Sequence, residues 1–205
     1  MRSSSRAARC GTRRSSPRRR RPGCRCTSRA RGISLTDFRG ADLSEQELRG
    51  QVYEEADFTG ADLSSAVFED CAFLRCRFER TRLAFARLAG CKLIGSTFIR
   101  CDLRPLTVEG GDWSYAILRG EDLRGISFAG VRLAEADLSD ADLTGCSLAG
   151  ADLSHARLRG VKLHGADLRG AVMDGCEVDL VDWTGVRIDV ALAVLLAKAR
   201  GARVD

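Results

Sequence analysis

Large apolar residues recur at every fifth position along most of this 205-residue chain. The series runs from Ile33 to Ile188 without a slip in register and fills 32 positions, of which 17 are Leu and seven are Phe. An α-helix repeats about every 3.6 residues and a strand every two, so neither produces a period of five. The pattern predicts a solenoid in which each five-residue step forms one side of a coil, with the large side chain pointing inward.

A second series of small residues precedes each large residue by two positions. Ala or Cys is frequent there, Asp often lies between the small and the large residue, and Gly often follows two positions later. The triplet Ala-Asp-Leu therefore begins at positions 41, 61, 136, 141, 151 and 166. We expect the small and the large residue to point inward and the other three to face solvent, with glycine at the corners of the coil.

Residues 33–190, with the pattern A-[DN]-L-x-x, resemble the pentapeptide-repeat family. The resemblance implies an all-β solenoid, a right-handed quadrilateral β-helix with four pentapeptides in each coil of twenty residues. The β-helix is assigned to residues 33–189, which make about eight coils and, at a strand spacing of ~4.8 Å, a stack about 38 Å long.

The segment before the repeats differs sharply in composition. Residues 1–32 contain 12 Arg and no acidic residue, so the formal charge of +5 combines a tail of +12 with a body of −7. The tail lacks large apolar residues apart from Met1, and it is predicted to be a disordered Arg-rich tail. It is either a basic arm for a polyanion, a solvated leader or a mis-assigned translation start.

A short helix is predicted where the five-residue period ends. Asp189 is a suitable N-cap, Gly201 suits the position after the helix, and the apolar stretch between them predicts a helix over about 190–200. Residues 190–205 are assigned as a capping and dimerisation helix with a short tail. Either the helix only folds back on the last coil, or its remaining apolar surface binds a second copy. The candidate dimer contacts are Val190, Leu192, Val194, Leu195 and Leu196.

Several classes of function find no support in the sequence. No apolar run is long enough to span a membrane, and no secretory signal is visible, so we expect a cytoplasmic protein with reduced thiols. Six of the nine cysteines lie in the small inward series, where they replace alanine as buried residues. His155 and His164 fall in outward positions without a catalytic or metal-binding partner. We therefore expect no catalytic residues, no metal and no cofactor.

The charges suggest one acidic face. Residues twenty apart form columns in such a coil, and one column of eight positions carries six acids. Its acids are Asp42, Asp62, Asp102, Asp122, Asp142 and Asp182, and its two bases are Arg82 and Lys162. Along the chain, residues 33–70 sum to −8, 71–104 to +6 and 105–190 to −7. Dimerisation through the helix would join two 105–190 segments into a central zone of −14.

Three segments carry a more detailed resemblance, CRFERTRL (76–83), CDLRPLTVEGGDW (101–113) and DWTGVRIDVALAV (182–194). They resemble the fluoroquinolone-resistance group of this family (MfpA/Qnr-like), in its loopless mycobacterial form. The resemblance implies a homodimeric DNA mimic that binds DNA gyrase, a type II topoisomerase, inhibits it and protects it from fluoroquinolones. The acidic column would face gyrase, and no specific nucleic acid is expected to bind the folded domain. The arginine tail and the basic belt at 71–104 depart from this pattern.

Two alternatives to that function stay open. A pentapeptide-repeat coil can also serve as a scaffold for a partner other than gyrase, because a fold does not determine a function. An arginine tail can also make a protein a nucleic-acid binder, which predicts salt-sensitive DNA binding that depends on residues 1–32.

Overall fold

The computed structural model describes residues 37–204, and the predicted tail at 1–32 lies outside them. The described chain winds into a β-solenoid in which residues twenty positions apart pair in parallel, as Leu48 does with Phe68. Each five-residue step forms one of four sides, and one short α-helix follows the last coil. The predicted quadrilateral β-helix with a C-terminal helix is confirmed.

All strands lie in the first half of the coil, and each has three residues. They are β1 (Glu47–Arg49), β2 (Val52–Glu54), β3 (Val67–Glu69), β4 (Ala72–Leu74), β5 (Arg77–Glu79), β6 (Arg87–Ala89), β7 (Thr97–Ile99) and β8 (Thr107–Glu109). One side forms a parallel sheet in the order β1-β3-β6-β8, while β2 pairs with β4 and β5 with β7 on two other sides. Beyond residue 110 the coils are joined by isolated bridges such as Asp142 to Lys162.

The corners explain why glycine recurs in the sequence. The residue two positions after a large residue has a positive φ, which is 70° at Gly120 and also 58° at His155. Glycine adopts this conformation without steric cost, whereas other residues must be held there by the coil. Gly111 has a second reason, because a Cβ at this position would collide with the carbonyl oxygen of Cys91. The bond between Arg104 and Pro105, at another corner, is cis.

The core is a continuous ladder of inward side chains, and its composition changes along the chain. In the first half, aromatic rings stack from coil to coil on one side, with centroids 4.8, 5.0 and 4.8 Å apart. These rings belong to Phe38, Phe58, Phe78 and Phe98. Trp113 lies 5.8 Å from Phe98 and ends the aromatic stack. Beyond Phe128 the large inward positions are filled by leucine up to Leu168.

The small inward residues do more than save space. Cysteine thiols in this series donate hydrogen bonds to the carbonyl of the large residue 23 positions earlier, as Cys146 does to Leu123 at 2.9 Å. The Thr81 and Ser96 hydroxyls make the same bond, at 2.8 Å and 2.9 Å. Burial raises the pKa of Cys146 to about 12, so this thiol stays protonated as a donor. The six described cysteines are free thiols. Four of them are buried as predicted, whereas Cys101 and Cys176 are half-buried.

The carboxyl end departs from the repeat before the helix begins. Residues Val178–Leu180 form a 3₁₀ turn, and α1 spans Val190–Ala199 and packs against that turn. The Asp189 carboxylate accepts hydrogen bonds from the backbone N–H of Leu192 at 2.9 Å and from that of Gly170 at 2.6 Å. It therefore caps the helix and also ties it to the preceding coil. The predicted N-cap is confirmed, and the helix ends at residue 199 rather than 200.

Candidate functional site

The predicted acidic column lies along one side of the coil. Backbone bridges connect Asp42 to Asp62, Asp62 to Arg82 and Arg82 to Asp102, and a second run connects Asp122 to Asp142 and Asp142 to Lys162. The same side also includes the other residues of each pentapeptide to which a column residue belongs. From residue 41 to residue 185, the side carries eight acids and four bases. It is therefore acidic, but it is not a continuous row of carboxylates.

Half of the column is neutralised by arginine and lysine on the same side. Asp62 pairs with Arg82 at 2.7 Å. Asp122 pairs with both Arg104 and Arg124, each at 2.8 Å. Asp142 lies 3.9 Å from Arg124 and from Lys162. The hydrogen bond from Arg124 lowers the pKa of Asp122 to about 2, so this carboxylate is ionised but its charge is compensated locally.

Asp102 and Asp182 remain without a cation. Within residues 37–204 the Asp102 side chain makes no hydrogen bond or ion pair, and it is exposed. The Asp182 carboxylate accepts a hydrogen bond from the backbone N–H of Thr184 at 2.9 Å and likewise has no ion-pair partner in the described chain. The Asp42 carboxylate accepts a hydrogen bond from the Ser44 hydroxyl at 2.6 Å. The charge that a partner meets on this side is thus concentrated at a few positions.

The basic belt at 71–104 is compensated by the coils beside it. Arg75 binds Glu54 and Glu55 at 2.6 and 3.1 Å, and Arg87 binds Glu69 and Glu109. Four further arginines of the belt are paired, namely Arg77, Arg80, Arg82 and Arg104. Only two of its eight cations, Lys92 and Arg100, have no ion-pair partner among residues 37–204. Four of the paired arginines thus link the belt to neighbouring coils, whereas Arg77 and Arg80 share Glu79 within the belt.

The last coil has the opposite character. Residues 171–189 contain five acids and one base, and that base, Arg187, pairs backward with Asp167 at 3.6 Å. None of the five acids has an ion-pair partner in the part of the chain that the structure describes. They are Asp174, Glu177, Asp179, Asp182 and Asp189. Asp189 caps the helix, which leaves four exposed carboxylates in the last coil.

Helix α1 is apolar around nearly its whole circumference, since Lys198 is its one polar residue. Leu192 is 3% exposed and belongs to the core of its own chain, whereas Val190 is 80% exposed. Val194, Leu195 and Leu196 are half-buried. The five predicted dimer contacts therefore divide into one interior residue and four that keep accessible surface.

Within residues 37–204, no group of three His, Cys, Asp or Glu side chains is arranged to hold a metal ion. His155 and His164 lie over the glycines of the next coil, Gly175 and Gly185. No helix of the described chain is long and apolar enough to cross a bilayer.

The pattern of the family "Pentapeptide repeats" matches this coil along most of its length. The matches cover residues 36–73, 47–80, 76–104, 114–145 and 136–175. The chain belongs to the pentapeptide-repeat family.

Two named members of the family are similar to this pentapeptide-repeat protein. MfpA of Mycobacterium tuberculosis (strain ATCC 25618 / H37Rv), a pentapeptide repeat protein, is 44% identical over 90 residues. That match spans 44% of this chain and 49% of MfpA, so the chain spans about half the length of this relative. The structure of full-length QnrB1, a plasmid-mediated fluoroquinolone resistance protein, superposes with a TM-score of 0.74 at 23% identity and covers 82% of this chain and 86% of QnrB1. A trypsin-treated QnrB1 variant superposes with a TM-score of 0.62 at 23% identity, over 83% of this chain and 86% of its own. The likeness to both QnrB1 structures concerns the fold.

One buried carboxylate was not expected from the sequence. Glu121 occupies a small inward position, is 5% exposed, and accepts hydrogen bonds from the backbone N–H groups of Arg100 at 2.6 Å and Cys101 at 3.0 Å. Position 121 belongs to the small inward series, so a glutamate at this position was the sequence signal that could have predicted a buried carboxylate. The two carboxylate oxygens thus accept hydrogen bonds from two N–H groups that have no backbone acceptor at this corner.

Proposed function

We propose that this pentapeptide-repeat protein is a DNA mimic that binds and inhibits DNA gyrase and protects the enzyme from fluoroquinolones. It acts by binding and not by catalysis. The observation that carries the proposal is the set of exposed carboxylates without ion pairs, which gathers in the last coil and recurs at Asp102 on the acidic side. Such carboxylates can replace DNA phosphates in contacts with the arginines and lysines of a DNA-binding surface.

The charge density of the second half suits that role. Residues 111–189 contain 14 acids and eight bases, so two copies joined end to end carry a net charge of −12. Eight coils at ~4.8 Å make about 38 Å, or one charge per ~3 Å. Duplex DNA carries one charge per roughly 1.7 Å, so the mimic has the same sign and about half the density.

The dimer contact is assigned to α1. An exposed helix that is apolar all round requires a partner for the side not covered by its own chain. Val190 and the half-buried Val194 supply that side, while Leu192 is buried in the coil and Leu195 and Leu196 pack partly against the core of their own chain. Joining two copies here places both last coils, with their unpaired carboxylates, at the centre of the assembly.

The similar proteins support the same proposed function. The carboxyl-terminal and belt segments resemble the fluoroquinolone-resistance group, MfpA is 44% identical over its matched part, and QnrB1 shares the fold. Gyrase acts on chromosomal DNA, so the proposal places the protein in the bacterial cytoplasm.

A gyrase supercoiling assay with the full chain, with and without a fluoroquinolone, tests the proposal. The double variant Asp179→Asn with Asp182→Asn should raise the concentration needed for half inhibition about tenfold, because it removes two uncompensated charges. The matched control is Glu54→Gln with Glu55→Gln, which changes the net charge equally but at carboxylates already bound to Arg75. That control should stay within about twofold of the parent protein.

The arginine tail requires one further control. Because residues 1–32 can bind the DNA substrate, relaxation of the same plasmid by a type I topoisomerase must remain unaffected at the inhibitory concentration. Loss of both reactions would indicate DNA binding by the tail. No effect on gyrase would favour a scaffold for another partner.

A further inference from the structure

Phe85 is the one phenylalanine of the eight that does not point into the coil. The other seven occupy the large inward positions and are buried, whereas the Phe85 side chain is 70% exposed. It forms no ring contact with any described aromatic residue and does not pack against the core. Its exposed ring contributes nothing to the core of its own chain and leaves an apolar group available for contact with another molecule.

The backbone of Phe85 has an uncommon conformation. Phe85 occupies a corner with a φ of 61°, a region that bulky side chains rarely adopt. The residues above and below it at the same corner are small or cyclic, namely Ser65, Pro105 and Gly125. Tyr115 has a similar corner conformation, but its hydroxyl donates a hydrogen bond to Glu135 at 2.7 Å, whereas the Phe85 ring has no partner within the described chain. Phe85 is therefore a candidate for contact with another molecule.

The surface beside Phe85 is shaped to accept a partner. The Phe85 N–H donates a hydrogen bond to the Pro105 carbonyl at 2.5 Å, so these two corners are adjacent in consecutive coils. A groove follows there, with the inward residues Leu106 and Ile126 at its base. Arg104 and Arg124 flank the groove, but both guanidinium groups are bound to Asp122 at 2.8 Å. The groove therefore has an apolar base, and Asp122 compensates the charges of the two arginines that flank it.

A carboxylate with no internal partner stands on the same side. Asp102 lies in the pentapeptide that ends at Pro105, one coil beyond Phe85. The nearest cation of its column, Arg82, is bound to Asp62 at 2.7 Å, so within the described chain Asp102 is uncompensated. The corner consequently combines an exposed ring, an apolar groove and an available negative charge.

We infer that Phe85 is the specificity anchor of this protein for gyrase, inserting its ring into an apolar pocket of the enzyme's basic DNA-binding surface while Asp102 meets a cation at the pocket rim. The inference rests on the proposed function. Carboxylates alone attract any basic nucleic-acid-binding protein, because long-range electrostatics steers association and discriminates weakly. A buried aromatic anchor depends on shape and distinguishes one basic surface from another.

The test compares Phe85→Ala with Tyr115→Ala in the full chain, by direct binding to purified gyrase without DNA and by supercoiling inhibition. Tyr115 is a matched control, because it is also an exposed aromatic corner residue, 53% exposed with a φ of 60°, and lies at the diagonally opposite corner. Phe85→Ala should weaken binding at least tenfold while Tyr115→Ala stays within about twofold. The melting temperature of Phe85→Ala should equal or exceed that of the parent, which separates lost binding from lost folding.

Salt distinguishes the two parts of the contact. The fold loss of gyrase binding caused by Phe85→Ala should be about the same at ~50 mM and at ~200 mM salt. The fold loss caused by Asp102→Asn should be smaller at the higher salt concentration, because salt screens the charge that this variant removes. If the parent protein binds gyrase and Phe85→Ala binds equally well, the inference is wrong and the proposed function stands. If the parent does not bind gyrase, the proposed function itself fails.

Discussion

The two halves of the coil share one repeat but are stabilised differently. Residues 37–110 contain all eight strands and the aromatic stack, and they hold 13 acids against ten bases, many of them in ion pairs between coils. Residues 111–189 contain isolated bridges and mainly leucine, and they hold 14 acids against eight bases. The first half thus combines strands with an aromatic stack, and the second has the larger acidic excess, which we assign to the partner. Ion pairs link neighbouring coils in both halves.

The corners show the physical origin of the difference. In the second half the N–H of each small residue donates to the preceding large residue, as Ala136 does to Leu133 at 3.1 Å. Where a strand ends at a corner in the first half, this bond is absent. Cys76 N–H then donates to the Ser96 hydroxyl at 3.1 Å, and Cys101 N–H to Glu121. Polar inward side chains therefore appear where the corner leaves a backbone donor unsatisfied.

The largest expected effect concerns the core of each half. Phe78→Ala should cost about 3–5 kcal/mol, and somewhat more than Leu138→Ala at about 2–5 kcal/mol. Phe78 loses its stacking on Phe58 and Phe98 at 5.0 and 4.8 Å as well as its volume. Urea unfolding followed by circular dichroism measures both. Equal losses would mean that the aromatic stack adds nothing beyond burial and would weaken the contrast between the halves.

The next effect concerns the junction between the halves. Glu121→Ala should cost about 2–3 kcal/mol, because it leaves the Arg100 and Cys101 N–H groups without their charged acceptor. Glu121→Gln keeps one acceptor oxygen and should cost less. Equilibrium unfolding compares the two with Glu135→Ala, an exposed acid of the same half. A loss at Glu121 no greater than at Glu135 would contradict a junction role.

A third prediction concerns the end of the acidic half. Val194→Asp should weaken self-association about tenfold or more, roughly 1.4 kcal/mol, because it places a charge in the proposed apolar contact. Sedimentation at several concentrations measures it, and Lys198→Asp at the end of the same helix is the control. Unchanged association of Val194→Asp would remove α1 from the dimer contact and with it the central position of the last coil.

The smallest effect is the loss of stability in acid. The hydrogen bond from Arg124 lowers the pKa of Asp122 from its usual 3.8 to about 2, so its stabilisation is complete above pH 4 and is lost as the pH falls towards 2. The carboxylate is 42% exposed, so the loss should stay below about 1 kcal/mol. Unfolding of the parent and of Asp122→Asn at pH 5 and at pH 2.5 should show a smaller pH dependence in the variant.

Much of the fold was accessible from the sequence because the repeat is local. The five-residue phase identifies the residues that point inward, although the buried carboxylate of Glu121 at one of these positions was not expected. The helix could also be predicted from the sequence, since Asp189 and Gly201 are local signals for its ends. Which charges remain uncompensated could not be predicted in this way. A formal count treats Asp122 and Asp102 alike, although one binds two arginines and the other binds none.

The sequence by itself determined the coil, its twenty-residue register and the inward ladder, because each five-residue step obeys the same short-range rules of size and turn geometry. Only the tertiary structure decided which carboxylates remain uncompensated and where the surface becomes apolar. Those properties depend on side chains that meet across coils, such as Arg82 on Asp62 and Arg87 on Glu109, and long flexible side chains can reach several acids from one backbone position. The exposure of Phe85, by contrast, follows from the five-residue phase, which places this residue at a solvent-facing corner of the coil.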